Sequence, residues 1–186
     1  MKAAGFVLTG GQSSRMGRDK ARLLLGSRYL VEEIAETVLQ VADSVILIGR
    51  PETFADLRLK CLPDLRDGGG PLAGLETALA SSSDDTLNLV VGCDMPSLQA
   101  RWLKQLLDIA QETGALCAAA KDAAGKIHPL CAVYRTACLP FVRKALDSGR
   151  LRLLDLLASL EAVEVPVGDV IANVNTPAEW AAWQGR

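Results

Sequence analysis

Apolar residues along the chain fall into two patterns. Short continuous runs that end at glycine or proline are typical of buried strands, whereas repeats spaced three and four residues apart are typical of helices. The runs predict strands at residues 3–8, 44–49, 57–62, 87–91, 116–120, 130–134 and 163–167. The repeats predict helices at 29–42, 137–148, 151–160 and 177–183, one spanning 72–79 with Pro71 in its first turn, and one spanning 103–110.

The alternation of these strands and helices predicts the fold class. Strands separated by helices of about ten residues favour a mostly parallel sheet with helices on both faces, a three-layer α/β sandwich. The 186 residues suit one core and contain no long linker, so we predict a single domain covering 1–186.

Glycines, cations and carboxylates collect where the predicted strands end. The first strand is followed by a glycine-rich loop from Gly10 to Lys20, the third by Asp64 and the fourth by Asp94. Since ligands of open α/β sheets bind at the carboxyl ends of the strands, these residues are candidates for one site.

The loop from Gly10 to Lys20 suits a triphosphate. Paired glycines let backbone N–H groups face phosphate oxygens, and Arg15 and Lys20 add positive charge. The loop matches neither the P-loop pattern nor the dinucleotide-binding G-x-G-x-x-G pattern. The simpler interpretation is a glycine turn with solvated charges.

The two aspartates have different alternatives. Asp94 at a strand end can hold Mg²⁺, or it can cap the helix expected near Ser97. Asp64 fits ordinary turn chemistry, although the following run Gly68–Gly70 would let the backbone approach a flat base.

Composition and charge exclude several function classes. The net charge of −2 implies no nucleic-acid surface, and no apolar run reaches the length of a membrane span. Five scattered cysteines indicate buried thiols in a reducing compartment, and a single histidine argues against a histidine-based zinc site. We therefore expect a cytoplasmic protein that binds neither nucleic acid nor membrane.

Four ordered motifs together resemble the molybdenum cofactor guanylyltransferases. They are Leu-Thr-Gly-Gly-Gln-Ser-Ser-Arg-Met-Gly-Arg-Asp-Lys at 8–20, Gly-Pro-Leu-Ala-Gly at 70–74, Cys-Asp-Met-Pro at 93–96 and Asn-Val-Asn-Thr-Pro-Ala-Glu at 173–179, with His-Pro-Leu at 128–130 also fitting. The resemblance spans nearly the whole chain and implies a Rossmann-like nucleotidyltransferase fold. Thr9 departs from it, because the family usually has alanine there; its hydroxyl would reach the base or a loop amide.

The resemblance implies GMP transfer from GTP to the terminal phosphate of molybdenum-bound molybdopterin, with release of pyrophosphate. The catalytic residues would be Arg15, Lys20 and Asp94, with Asp94 on Mg²⁺. The nucleotide would be bound by Leu8, Thr9, Gly10, Gly11, Lys20, Asp64, Gly74 and Asp94. Expected partners are a molybdenum insertase or recipient molybdoenzymes, and the expected state is a monomer or weak homo-oligomer.

The pterin side depends on His128, Asn173 and Asn175. Alternate residues of an extended segment point the same way, so both amides would face the site; the alternative is a helix N-cap at Asn175 or Thr176. His128 is either a buried strand histidine or a pterin-side residue. Arg150 and Arg152 can grip a phosphate but fit a solvated helix start better, and leucines within 151–160 fit a core or an oligomer contact.

Other functions remain as alternatives. A cytidylyltransferase on the same pterin is disfavoured by the paired glycines and by Gly-Pro-Leu-Ala-Gly, and a sugar-1-phosphate nucleotidyltransferase by chain length. A non-catalytic nucleotide-binding module is disfavoured by the presence of Arg15, Lys20 and Asp94. A dinucleotide-dependent oxidoreductase would need the missing glycine fingerprint.

Overall fold

A computed structural model describes residues 2–10 and 20–185 of the chain. The strands are β1 (Ala3–Leu8), β2 (Leu24–Leu25), β3 (Arg28–Tyr29), β4 (Ser44–Ile48), β5 (Cys61–Leu62), β6 (Leu87–Gly92), β7 (Cys117–Lys121), β8 (Ile127–Arg135) and β9 (Val163–Pro166). The α-helices are α1 (Leu30–Leu39), α2 (Pro71–Ala80), α3 (Ala100–Thr113), α4 (Leu139–Asp147), α5 (Leu153–Ser159) and α6 (Pro177–Gln184). Short 3₁₀ helices cover Lys20–Arg22, Pro51–Phe54 and Thr136–Cys138.

Seven strands form the central sheet, in the order β5-β4-β1-β6-β8-β7-β9. The pairs β1–β4, β1–β6, β4–β5 and β7–β9 are parallel, which confirms the mostly parallel α/β sheet. Strand β8 runs antiparallel to both of its neighbours, with Val91 of β6 opposite Cys131 and Ala120 of β7 opposite His128. The start of β8 therefore lies at the same edge as the carboxyl ends of β6 and β7.

Helices cover both faces of this sheet. On one face α1 and α3 pack against side chains such as Val7 and Leu89, and on the other α2, α4 and α5 pack against Phe6 and Val90. Successive strand residues point to opposite faces, so a strand with two buried faces needs the continuous apolar runs seen in the sequence. This confirms the three-layer arrangement.

Several predicted boundaries are off by two or three residues, among them the end of α1 and the starts of α3 and β8, and two further differences have local reasons. The third strand is only Cys61–Leu62, because the Leu57 N–H is used in a turn to the Phe54 carbonyl oxygen and the chain bends before it pairs with β4. The helix predicted at 137–148 begins as a 3₁₀ turn, and α4 starts at Leu139 with Pro140 in its first turn, where a missing N–H costs nothing.

The last helices support the N-cap and solvated-start interpretations made from the sequence. Thr176 caps α6 and forms a capping box with Glu179, while Arg150 and Arg152 are exposed ahead of α5. Within 151–160, Leu156 and the neighbouring Leu157 and Leu160 are buried, whereas Leu151 and Leu154 are exposed. No helix among the described residues is long and apolar enough to cross a membrane.

Candidate active site

A cavity of about 950 Å³ opens at the carboxyl ends of β1, β4 and β5. One wall is the glycine-rich segment 63–71 before α2, and the facing wall is segment 48–54 after β4. Five of the residues predicted to bind nucleotide line it together: Leu8, Thr9, Gly10, Asp64 and Gly74. The fold thus gathers residues from three separate strand ends around a space large enough for a nucleoside.

The Asp64 carboxylate lies between two glycines at the base of this cavity. A Cβ atom on Gly10 would lie 3.5 Å from Asp64 Oδ2, and one on Gly74 would lie 3.5 Å from Asp64 Oδ1 and 3.2 Å from Leu8 Cδ2. Side chains at positions 10 and 74 would therefore contact the carboxylate, and one at 74 would also crowd Leu8. With glycine at both positions, Asp64 lines the cavity together with them.

The protonation of Asp64 is shifted by its surroundings. Burial raises its pKa above the ordinary value, and the nearby negative charge of Asp67 raises the pKa further. A carboxylate that is short of solvent favours a ligand carrying hydrogen-bond donors, because such donors replace the lost water.

Helix α2 fixes the loop that carries Asp64. The Leu65 N–H donates to Thr77 Oγ1 at 2.9 Å, and Thr77 Oγ1 in turn donates to the Ala73 carbonyl oxygen at 3.0 Å. The next loop residue, Arg66, places Nε 2.8 Å from Oε2 of Glu76. Thr77 and Glu76 of the helix therefore hold Leu65 and Arg66 of the loop.

Glu76 of α2 is a buried charge that is neutralised by Arg66 of the loop and by Arg143 of α4. Its side chain is 3% exposed, and Oε1 accepts a hydrogen bond from Arg143 Nε of α4 at 3.1 Å. Arg66 also reaches Asp147 of α4 at 2.5 Å. A buried carboxylate is tolerated only when it is paired in this way, so the network ties the loop to both helices.

The Thr9 hydroxyl contacts the backbone of the neighbouring strand end. It donates to the Ile48 carbonyl oxygen at 2.8 Å, where the sequence suggested a base or a loop amide. A Cβ on Gly49 would lie 2.1 Å from Thr9 Oγ1, so this contact requires glycine at 49. Thr9 therefore joins the carboxyl ends of β1 and β4 at the rim of the cavity.

Asp94 follows β6, beside β1 in the sheet. A Cβ on Gly92 would lie 2.7 Å from Asp94 Oδ1, so the carboxylate rests in the space that glycine leaves. Helix α3 begins at Ala100 with Gln99 as its N-cap, so Asp94 is not the helix cap.

Within residues 2–10 and 20–185 no three His, Cys, Asp or Glu side chains form a cage for a metal. A single half-buried carboxylate suits Mg²⁺, which takes few protein ligands and keeps water and phosphate oxygens.

The segment 173–175 crosses next to Asp94. The Val174 N–H donates to the Asp94 carbonyl oxygen at 2.8 Å. The side chain of Asn175 accepts from Lys20 Nζ at 2.7 Å, and that of Asn173 accepts from Lys126 Nζ at 3.3 Å. The predicted cation Lys20 is therefore brought to the predicted amide Asn175, on the Asp94 side of the sheet.

The backbone of this segment is held by the cap of α6. Glu179 accepts from the N–H groups of Asn175 at 2.6 Å and of Thr176 at 2.9 Å. These hydrogen bonds lower the pKa of Glu179, and the one from the Asn175 N–H has the largest effect; burial acts in the opposite direction. Of the two alternatives for the N-cap, the structure has Thr176, while the side chain of Asn175 holds Lys20 and its pterin-side role stays a prediction.

His128 lies at the start of β8, at the same edge of the sheet. Its ring is buried and Nε2 lies 2.9 Å from Oδ2 of Asp122, which is buried as well. Burial alone would raise the pKa of Asp122, but the hydrogen bonds from His128 and from the Lys126 N–H lower it below the ordinary value. The buried-histidine interpretation therefore describes the packing of His128, and the pterin-side role stays a prediction.

Two of the predicted site residues, Gly11 and Arg15, lie outside the described residues. In the described part, sequence reasoning missed the wall formed by segment 48–54, which includes Arg50 and Glu52. The strand-end argument applies to β4 as well and would have found this segment. It also missed Lys126, since a lysine in a hairpin turn has no distinctive pattern.

Comparison with known proteins gives the family. The model of the MobA-like NTP transferase domain matches residues 5–178. The chain belongs to this family. A molybdenum cofactor guanylyltransferase of Xanthomonas euvesicatoria is 36% identical over 187 residues, covering 95% of this chain and 92% of the relative.

Solved structures show the same fold. A crystal structure of molybdopterin-guanine dinucleotide biosynthesis protein A from Archaeoglobus fulgidus has a TM-score of 0.81 at 24% identity, covering 96% of this chain and 95% of the other. A Mycobacterium tuberculosis protein crystallised as a manganese complex has a TM-score of 0.74 at 18% identity, covering 100% and 98%. The MobA-like NTP transferase described here is therefore a nucleotidyltransferase with a Rossmann-like fold.

Proposed function

We propose that this MobA-like NTP transferase is a molybdenum cofactor guanylyltransferase. It transfers GMP from GTP to the terminal phosphate of molybdenum-bound molybdopterin. The supporting observation is the carboxylate of Asp64 in a nucleoside-sized cavity, with Asp94 at a neighbouring strand end and Lys20 held beside it by Asn175. The name of the Xanthomonas relative agrees with this activity. Both core clusters pack on one sheet, which supports action as a single domain over 1–186.

Guanine is the base that Asp64 suits best. The Watson–Crick edge of guanine carries two donors side by side, the N1–H and the N2 amine. An ionised carboxylate offers only acceptors, so it can accept from both. Cytosine presents one amine donor beside two acceptors, which would face the carboxylate unfavourably. Cytosine is therefore a poor partner for Asp64. The cytidylyltransferase alternative remains as one outcome of the nucleotide test below.

The reaction needs alignment of two anions and no general base. The terminal phosphate of the pterin is mostly a dianion at neutral pH, because its second pKa is near 6. One of its oxygens attacks the α-phosphorus of GTP, a new P–O bond forms to the acceptor, and the bond to the β-phosphate bridging oxygen breaks with release of pyrophosphate. Such transfers are catalysed mainly by positioning and charge stabilisation.

Each residue has a place in this scheme. Leu8, Thr9, Gly10, Gly11, Asp64 and Gly74 hold the nucleoside, while Arg15 and Lys20 hold the phosphates. Mg²⁺, bound by Asp94 and phosphate oxygens, would supply charge neutralisation. Asn173, Asn175 and His128 belong to the pterin side. Binding to a molybdenum insertase or to recipient molybdoenzymes stays a prediction.

The test is an incubation of the protein with molybdopterin, Mg²⁺ and each of GTP, CTP, ATP and UTP, with pyrophosphate release as the readout. GTP should support turnover far better than the other three. Preference for CTP would establish the cytidylyltransferase alternative instead. Nucleotide binding without pyrophosphate release from any of the four would indicate the non-catalytic module.

A further inference from the structure

The hairpin between β7 and β8 is built around a buried carboxylate. Asp122 Oδ1 accepts from the N–H groups of Ala124 at 3.0 Å and Lys126 at 2.9 Å, and Oδ2 lies 2.9 Å from His128 Nε2. Asp122 is 6% exposed and His128 is 3% exposed. Burying this pair stabilises the hairpin only because every contact is satisfied, so the backbone at Lys126 has a fixed position.

The Lys126 ammonium group projects from this fixed turn toward the site. It lies 3.3 Å from Asn173 Oδ1, two residues before the amide of Asn175 that holds Lys20. Two residues of extended chain advance about 7 Å. The two amides that hold the ammonium groups therefore lie within about that distance of each other along the backbone, on either side of Val174, whose N–H donates to the Asp94 carbonyl oxygen.

Lys126 differs from the lysines that form ordinary surface ion pairs. Lys104 meets Asp108 at 2.9 Å and Lys121 meets Glu164 at 2.6 Å. Among the described residues, the Lys126 ammonium group contacts an uncharged amide, the side chain of Asn173. An amide orients an ammonium group without neutralising it, so the positive charge stays available to an anion.

The strand order places this charge on the side of Asp94 away from the nucleoside cavity. The cavity opens at β5, β4 and β1, Asp94 follows β6, and the hairpin joins β7 to β8 beyond it. An anion at Lys126 would thus approach the Asp94 region from the opposite side to the base of the nucleotide.

We propose that Lys126 binds the phosphate monoester of the acceptor substrate. Asn173 orients the ammonium group, and the Asp122–His128 pair sets the position of the hairpin, so these three are positioning residues. The proposal rests on the proposed guanylyltransferase function and extends it by naming a cation for the second substrate. Two lysines held by alternate residues of one segment would bring two anionic groups together against their repulsion.

The experiment measures binding separately from transfer. Wild type and Lys126→Gln are titrated with molybdopterin in the presence of Mg²⁺ and a GTP analogue whose α,β-bridge is a methylene, and the Kd of each ligand is determined. We expect Lys126→Gln to weaken molybdopterin binding about 10-fold, as for loss of a charge-assisted contact, with the Kd of the nucleotide unchanged. Lys126→Arg should bind as the wild type, and the matched control Lys104→Gln should change neither Kd.

A second pair of variants tests the positioning role of the buried pair. Asp122→Asn retains an oxygen acceptor for the turn N–H groups of Ala124 and Lys126 and should keep the molybdopterin Kd, whereas Asp122→Ala should raise it without changing the Kd of the nucleotide. Equal molybdopterin affinity in wild type and Lys126→Gln would overturn the assignment of Lys126 while leaving the proposed function standing. A wild-type protein that binds molybdopterin with Lys126-dependent affinity but transfers no GMP would overturn the proposed function alone. No binding of molybdopterin to the wild type would overturn both.

Discussion

The nucleoside side and the acceptor side of the site are built in different ways. The nucleoside side consists of backbone and glycine surfaces around Asp64, held by hydrogen bonds and ion pairs to the buried face of α2. The proposed acceptor side consists of exposed side chains, Lys126 with Asn173, and Asn175, which also holds the phosphate-side Lys20. The first side is defined by shape and the second by charge.

This difference has a physical consequence for substitutions. Changes at the buried residues that hold the nucleoside side, such as Glu76, alter packing in a dense interior, so they affect folding stability together with nucleotide affinity. Changes on the acceptor side remove solvated charges, so they alter binding while folding stability is nearly unchanged. The following variants test this separation.

The largest effect is expected for Asp94→Asn, because Asp94 lies between the two sides. Loss of the metal-binding charge should lower kcat roughly 10²–10³-fold, while thermal unfolding stays at the wild-type temperature. Steady-state pyrophosphate release and calorimetry measure these two quantities. Asp84→Asn in the exposed turn before β6 is the control and should be neutral. Near-normal turnover of Asp94→Asn would remove Asp94 from the metal site.

The next largest effect is expected for Asp64→Asn, which should act on the nucleoside side alone. An amide replaces one acceptor with a donor, so the Kd of GTP should rise about 10–100-fold with the Kd of molybdopterin unchanged. Isothermal titration with each ligand measures both. A parallel loss of molybdopterin affinity would contradict the separation of the two sides.

The pH dependence of GTP binding sharpens this assignment. If the ionised carboxylate of Asp64 binds the base, affinity is full above the pKa of Asp64 and is lost as the pH falls through it. Burial and Asp67 raise that pKa above the ordinary 3.8, so the loss should begin at a higher pH than for an ordinary carboxyl group. Asp67→Asn removes one cause and should move the midpoint to lower pH. An unchanged midpoint would show that Asp67 does not act on the site.

A smaller, mixed effect is expected for Glu76→Gln. Removing the buried charge leaves Arg66 and Arg143 without their shared partner, but their side chains are 38% and 50% exposed and are partly solvated. We therefore expect a loss of about 1–3 kcal/mol in the free energy of unfolding, below the value for a fully buried pair. The Kd of GTP should rise with it, since Arg66 belongs to the loop of Asp64.

Denaturant unfolding and GTP titration measure these two effects of Glu76→Gln. The matched control is Glu112→Gln on the exposed face of α3, which should change neither quantity. A loss of stability with unchanged GTP affinity would show that the loop does not depend on Glu76.

The smallest effect is expected for Thr9→Ala. The variant loses the hydrogen bond to the Ile48 carbonyl oxygen, which should cost about 0.5–1.5 kcal/mol of unfolding free energy. GTP affinity should change little, because the hydroxyl is directed at β4. Thr37→Ala on α1 loses a hydrogen bond within its own helix and should be nearly neutral. A large loss of GTP affinity in Thr9→Ala would place the hydroxyl on the nucleotide.

The sequence alone predicted much of the fold and part of the site. Continuous apolar runs located β1, β4 and β6, and the residues after β1, β5 and β6 supplied Gly10, Asp64 and Asp94. The rest could not be predicted because its partners are distant in the chain. Lys20 and Asn175 are 155 residues apart, and Lys126 and Asn173 are 47 apart.

Local chemistry determined what each segment is. The spacing of apolar residues indicates which face of a helix or strand is buried, and glycine and proline mark where elements end. The capping box of Thr176 and Glu179 is complete within four residues. The sequence by itself therefore determined most strands of the central sheet, the glycine-rich loops and the start of α6.

Tertiary structure alone decided which of these segments meet. The apolar run of β8 has the same pattern in either direction, yet its antiparallel placement brings His128 and the Lys126 hairpin to the edge that carries Asp94. The pairings of Thr9 with Ile48 and of Arg66 with Glu76 likewise follow from strand order and helix packing. A side chain's burial can be read from its neighbours in sequence, but its partner is fixed only when the whole sheet has formed.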